Sequence, residues 1–197
     1  MTTTVLNNTR ALWRTELISN RHACAALGTA LFVIATMLGA FVRIPLPFTP
    51  VPLSLQTFFV LLSGALLGRK YGALSQAVYL GLGAAGIGVF AGGAGLAYLL
   101  GPTGGYIAGF VLASFLTGWM IRSKENAGTA WIFLSMLSGA AVILITGALW
   151  LVPLLHISPA QAFTIGILPF IPGDLVKLSL AALVFHSLQT RARKIFP

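Results

Sequence analysis

Charge is what this sequence has least of. Only 8% of its 197 residues are charged, where a soluble domain carries about a quarter, and 57% are apolar. That balance excludes an ordinary water-soluble globule and predicts an integral membrane protein. Acid is scarcest, with Glu16, Glu125 and Asp174 the three such residues. A single aspartate cannot form the proton-sharing pair of an intramembrane aspartyl protease, although Pro172-Gly173-Asp174 superficially resembles its Gly-Asp motif. Cys24 is the one cysteine, which excludes an internal disulfide, a cysteine zinc cluster and an iron-sulfur site. No Gly-x-x-x-x-Gly-Lys-Ser/Thr loop is present to hold ATP phosphates, and no His-Glu-x-x-His to hold a catalytic zinc. His22, His156 and His186 are spread over both sides of the expected bundle, so no metal site is expected. His186, at the cytoplasmic end, is badly placed for a serine-histidine protease site among the outer connections. Together these absences point away from an enzyme.

What is present is apolar length. Apolar runs predict six helices, at 23–42, 53–68, 72–86, 104–121, 131–153 and 172–189, the second and third short against the roughly 17–25 residues that a span needs. A cytoplasmic tail at 1–22 and a basic tail at 191–197 flank a single membrane domain at 23–190. The formal charge of +9 reads as orientation in a membrane and not as nucleic-acid binding, because basic residues gather on cytoplasmic connections. With both termini inside, Arg10, Arg14, Arg21, Arg69, Lys70, Arg122, Lys124, Arg191, Arg193 and Lys194 all fall on the inner side, ten of the twelve. A cleaved signal peptide, with Leu38-Gly39-Ala40 as its faint cleavage site, is the competing reading of the first span; the long tail before it and the even pairing of spans oppose it.

The outer connections differ in kind from the short, charged inner ones. Between the first two spans, Arg43-Ile-Pro-Leu-Pro-Phe-Thr-Pro-Val-Pro52 has four prolines and must be extended. Residues 87–102 are too broken by glycine for a span and too apolar for a solvated loop, so they are expected to fold back onto the protein. Ser158-Pro159-Ala160-Gln161 reads as a capping box opening a short surface helix that runs to Pro169. A second start at Pro172 puts Asp174 in the first turn of the last span, where exposed N–H groups favour a carboxylate.

Lys177 follows Asp174 on the same helix face. An ionisable residue at the centre of a span costs about 2.5–3.5 kcal/mol on insertion scales, so the pair is a site hypothesis by default. Its bland readings are helix capping by Asp174 alone, or an intrahelical salt bridge near the membrane surface. Both residues face the outer side with the irregular connections, which suggests one pocket open to the exterior. Arg43 either snorkels at the interface or draws an anionic solute to the pocket mouth. Gln56, with Thr57 beside it, hydrogen-bonds a solute or a neighbouring helix. Tyr79 is a ligand contact or core. Small residues recur at four-residue spacing at Ala26 and Ala30, at Ala73, Ala77, Gly81 and Ala85, and at Gly105 and Gly109, serving internal packing or, for the first pair, a partner helix. A solute binder or transporter that depends on an energy-supplying partner fits best; a structural membrane subunit is the alternative.

Three segments carry a family resemblance: 43–57, Gly101-Pro-Thr-Gly-Gly-Tyr-Ile-Ala-Gly-Phe110, and Pro169-Phe-Ile-Pro-Gly-Asp-Leu-Val-Lys177. In order and separation they resemble the BioY family, the biotin-specific substrate-capture subunits (S-components) of energy-coupling factor (ECF) transporters. The resemblance implies an S-component-like bundle of six helices in the bacterial cytoplasmic membrane, surrounded by lipid, with an outward-facing biotin pocket and no cofactor. It places Asp174 and Lys177 in that pocket together with loop glycines such as Gly92, Gly93 and Gly95, and puts Ala26 and Ala30 against a transmembrane coupling protein served by ABC-type ATPases. Asp174 would accept the ureido N–H groups of biotin, while Lys177 would pair with its carboxylate or orient Asp174. Phe48, Phe58, Phe90 and Tyr98 are candidates for the apolar walls or for ordinary core. Transport by this chain alone, as an oligomer, is the rival to a coupled complex.

Overall fold

The computed structural model describes residues 21–125 and 127–196. Helix α1 (Arg21–Phe41) is followed by a two-stranded antiparallel ladder, β1 (Arg43–Ile44) with β2 (Leu53–Ser54), in which Arg43 lies opposite Ser54. The proline-rich connection is therefore a small hairpin, and Leu53 and Ser54, expected as the start of the second span, belong to its returning strand. Helix α2 (Gln56–Ala84), α3 (Gly95–Leu99), α4 (Gly104–Arg122), α5 (Thr129–Leu155), α6 (Pro159–Gly166), a 3₁₀ turn (Leu168–Phe170) and α7 (Ile171–Ile195) complete the chain. The basic stretch from 191 is helical, being the last turns of α7 through Ile195. The start of the N-terminal tail, 1–20, including Arg10 and Arg14, lies outside the described residues.

Helix α2 is two limbs and not one rod. In a continuous helix Gln56 and Tyr79 would be roughly 35 Å apart, yet Gln56 Nε2 donates to Tyr79 Oη at 2.7 Å and Gln76 Nε2 to Ser63 Oγ at 3.2 Å. The chain reverses at Gly68, with φ 79° and ψ 177°, a conformation essentially reserved for glycine. Beyond the turn, Gly72 lies so close to Gly64 that a side chain at Gly72 would strike the Gly64 backbone. Counting the limbs 56–67 and 69–84 separately gives the six spans expected, the inner connection between the second and third being a single residue. At 1.5 Å per residue the limbs reach only roughly 18 and 24 Å, shorter than a typical bilayer core. Among the described residues, four stretches are long and apolar enough to cross by themselves: His22–Phe41, Gly104–Arg122, Thr129–Leu155 and Pro159–Arg193.

Gly68→Ala is expected to destabilise the protein by about 1–3 kcal/mol through backbone strain. The Arg122 guanidinium, 3.5 Å from where the new methyl would sit, leaves room for it. Thermal unfolding in detergent checks this, with Gly81→Ala, where nothing lies within 4 Å, as the unstrained control.

Helix α4 packs most extensively on α2 and α5, α7 closes the bundle against both, and α1 lies along α2. Two apolar clusters fill it. One, at the end of the irregular connections, includes Tyr79, Phe90, Tyr106, Phe110, Ile143 and Phe170; the other, at the basic end, includes Leu61, Leu67, Ile121, Met136, Leu178 and Phe185. A buried polar group joins helices between them: Gln76 Nε2, with its two N–H groups, lies within hydrogen-bond reach of Thr36 Oγ1, Ser63 Oγ and Ser75 Oγ, and Ser63 shares a hydrogen bond with Ser114, the kind of interhelical bonding that replaces hydrophobic drive within a membrane. Arg69, Lys70, Arg122, Lys124, Arg191 and Arg193 mark one end of the bundle as cytoplasmic. The ladder, the loop before α3 and helix α6 mark the outer end. The capping box at Ser158 is present, with Gln161 N donating to Ser158 Oγ and Ser158 N to Gln161 Oε1, and its helix stops at Gly166, three residues before the expected end, where the 3₁₀ turn takes over.

Candidate binding site

Asp174 and Lys177 sit where the outer ends of α2, α4, α5 and α7 converge. The 3₁₀ turn aims the chain into α7, and Pro172 in its first turn needs no hydrogen-bond donor there. Asp174 Oδ1 and Lys177 Nζ are 2.5 Å apart, and the two residues are 5% and 8% exposed. They form the intrahelical ion pair of the bland reading, buried inside the bundle and not at its surface. Asp174 stands in the first turn of α7, as expected, where the helix end favours a carboxylate; the N-cap residue, Phe170, makes no side-chain capping hydrogen bond, and the carboxylate is ion-paired with the ammonium.

Lys177 is held from two sides: its Nζ donates to the Ser54 carbonyl at 2.9 Å and to Thr57 Oγ1 at 3.4 Å, besides the ion pair with Asp174. Asp174 Oδ1, buried in the same wall, accepts no hydrogen bond. The pair thus presents an acceptor whose charge is balanced from behind.

Both residues line a cavity of about 50 Å³ with Gln56, Thr57, Tyr98, Tyr106 and Phe110 among its walls. Gln56 is held by a relay. Its Oε1 accepts from Ser54 Oγ at 3.1 Å, its Nε2 donates to Tyr79 Oη at 2.7 Å, and Tyr79 Oη donates to the Val89 carbonyl at 2.9 Å. Tyr79 therefore stands behind Gln56 and does not line the cavity. Tyr79→Phe would leave two buried groups without partners, a loss of about 1–3 kcal/mol each at most. The variant is expected to unfold at a lower temperature and to bind ligand several-fold more weakly, as read by thermal unfolding and equilibrium binding.

The loop before α3 forms the roof. Ala91 is its lining residue, and its carbonyl accepts from Tyr98 Oη at 3.0 Å and from Arg43 Nη1. Arg43 is exposed and lies outside the cavity, over Gly92, whose missing side chain makes room for the guanidinium. Gly93 packs on the Tyr98 ring and bridges to Phe90, and Gly95 opens α3. These three glycines shape the roof without facing the cavity. Of the aromatic candidates only Tyr98 lines it: Phe90 is core, stacked on Tyr98 at 5.2 Å, Phe48 is exposed, and Phe58 packs against the other apolar cluster. Tyr106, Thr103, Phe110 and Phe170 were not singled out from the sequence as wall residues. The signal for the first three was the segment 101–110 itself, already notable for its likeness to a known pattern.

Ala26 and Ala30 face outward, far from this cavity, on an apolar groove of about 500 Å³ between α1 and the second limb of α2 that Tyr71, Leu74 and Val78 also line. Gly105 and Gly109, by contrast, are internal packing positions against Thr146 and Trp150 of α5. No group of three or more potential metal ligands occurs among the described residues.

Comparison with known proteins agrees with this architecture. The BioY family model matches residues 13–194. A Pyrococcus horikoshii protein described as "Probable biotin transporter BioY" is 45% identical over 161 residues, covering 81% of this chain and 93% of its own length. The "Biotin transporter BioY" of Thermotoga maritima is 44% identical over 161 residues, covering 81% and 90%. Among solved structures, the S-component for biotin from an ECF-type ABC transporter superposes with a TM-score of 0.80 at 30% identity, covering 87% of this chain and 93% of that one. On the family match, which runs nearly end to end, and on these relatives, this chain belongs to the BioY family.

Proposed function

We propose that this protein captures biotin from the outer side of a cytoplasmic membrane and serves its uptake as the substrate-binding subunit of an ECF-type transporter. The observation that carries the reading is the buried Asp174–Lys177 pair in the cavity wall, with one carboxylate oxygen left short of hydrogen bonds. Biotin offers two ureido N–H donors on an otherwise apolar bicyclic core. Asp174 accepts from the ureido group, Gln56 and Thr57 supply neighbouring polar contacts, and Tyr98, Tyr106 and Phe110 supply apolar walls, the usual division of labour in a ligand pocket. Because its ammonium is held by the Ser54 carbonyl and Thr57 beside Asp174, Lys177 acts by orienting Asp174 and balancing its charge.

A cavity of about 50 Å³ has room for a few water molecules, at roughly 10–15 Å³ each, and not for biotin. Capture therefore requires the roof at 87–103 and the proline ladder to move outward and close again over the ligand. No step makes or breaks a covalent bond, and no cofactor enters. Energy comes from outside the chain: the open groove at Ala26 and Ala30 is suited to a helix of a transmembrane coupling protein, itself driven by ABC-type ATPases.

Equilibrium binding of labelled biotin to the detergent-purified chain alone tests the proposal, with dethiobiotin as competitor. Saturable binding at one site per chain is expected. A folded protein that binds no biotin would overturn it.

A further inference from the structure

The basic end of the bundle carries a second site. Arg69, Lys70, Arg122 and Arg193 converge on one groove of about 610 Å³, between the Gly68 turn, the end of α4 and the last turns of α7. Positive charge at cytoplasmic helix ends is ordinary; its convergence on one concave surface, with the guanidinium groups fixed in place, is not accounted for by that rule. Arg122 Nη2 donates to the Leu66 carbonyl at 3.3 Å, and Arg193 Nη2 donates to the carbonyls of Ile121 and Lys124 at 3.0 and 2.6 Å. These bonds position the two arginines without neutralising them. Among the described residues no carboxylate lines the groove, the one salt bridge is at the opposite end, and Arg193 Nε is a buried donor with no acceptor. The groove thus offers four charges and spare N–H donors to an anion that the described residues do not supply.

The groove's remaining walls say which anion. Trp119, half exposed, and Tyr71 flank the cations, and these amphipathic rings settle at headgroup depth. Basic pockets between helices on the cytoplasmic side bind anionic headgroups, and arginine presents a fork matched to phosphate oxygens. We propose that this groove binds the phosphate of an anionic phospholipid of the inner leaflet, bridging the hairpin turn of α2 to the ends of α4 and α7.

Native mass spectrometry of the full-length protein, titrated with phosphatidylglycerol or with zwitterionic phosphatidylcholine, tests this. Phosphatidylglycerol adducts are expected at roughly tenfold lower lipid concentration or below, since the groove's cations attract an anionic headgroup more strongly than a net-neutral one. Arg122→Gln with Arg193→Gln should remove that preference, and so, in part, should Arg69→Gln with Lys70→Gln. The second pair is exposed, so its folding is unaffected even if the first pair's is not. Arg191→Gln, an exposed cation outside the groove, should leave the preference intact. Equal retention of the two lipids, or an undiminished preference in both double variants, would overturn the proposal. Displacement of phosphatidylglycerol by equimolar glycerol phosphate would overturn the lipid assignment in favour of a soluble anion.

Discussion

Asp174→Asn is expected to weaken biotin binding by about 10- to 100-fold while leaving the protein folded. The substitution keeps size and shape and removes charge, so what it reads is the strength of the acceptor. Hydrogen bonds to a charged group contribute about 1.5–3 kcal/mol each, and this carboxylate sits in a buried wall where water competes poorly. Folding is spared because Lys177 keeps the Ser54 carbonyl and Thr57 Oγ1 as partners. Equilibrium binding and thermal unfolding on the same preparation separate the two effects. Unchanged affinity would mean that Asp174 is only the counter-ion of Lys177.

The complementary change is expected to cost stability, which Asp174→Asn spares. Lys177→Met removes the ammonium and strands Asp174 in an apolar wall, and breaking a buried pair from one side costs about 3–5 kcal/mol. The double variant Asp174→Asn with Lys177→Met should therefore be more stable than Lys177→Met alone, since it deletes the orphaned charge together with its cause. That ordering, measured by thermal unfolding in detergent, distinguishes a charge-balancing lysine from one that merely packs, for which the two losses would add. Affinity should fall in Lys177→Met as well, because Asp174 loses the group that orients it.

Much of this was legible in the residues. Low charge and the placement of arginines and lysines foretell a membrane bundle and its orientation, because lipid imposes those demands on composition directly. The capping box at Ser158 and the start at Pro172 are local hydrogen-bond chemistry, readable from four or five residues. Asp174 and Lys177 stood out for the same reason: an ionisable residue in an apolar span needs a partner, and one lay a turn away.

The rest depended on contacts distant in sequence. Nothing near Gly68 announces that a single residue reverses the chain; periodicity identified both limbs but not the absence of a connection between them. That Tyr79 backs Gln56, or that Arg43 reaches Ala91 and not the cavity, follows from pairings across 23 and 48 positions. The loop glycines drew notice as ligand contacts; what the fold adds is steric, Gly92 yielding space to a guanidinium and Gly93 to an aromatic ring.

The reversal at Gly68 has a mechanical meaning. A turn of one residue has no slack, so the limbs of α2 cannot slide or splay independently, and the Gln56–Tyr79 bond ties their far ends as well. They behave as a closed frame. Any widening of the outer end is then expected in the segments hung on that frame, and Arg43, bonded to Ala91, links the proline ladder to the roof. If the pocket takes up a solute as proposed, its door is a hinged surface working against a rigid jamb.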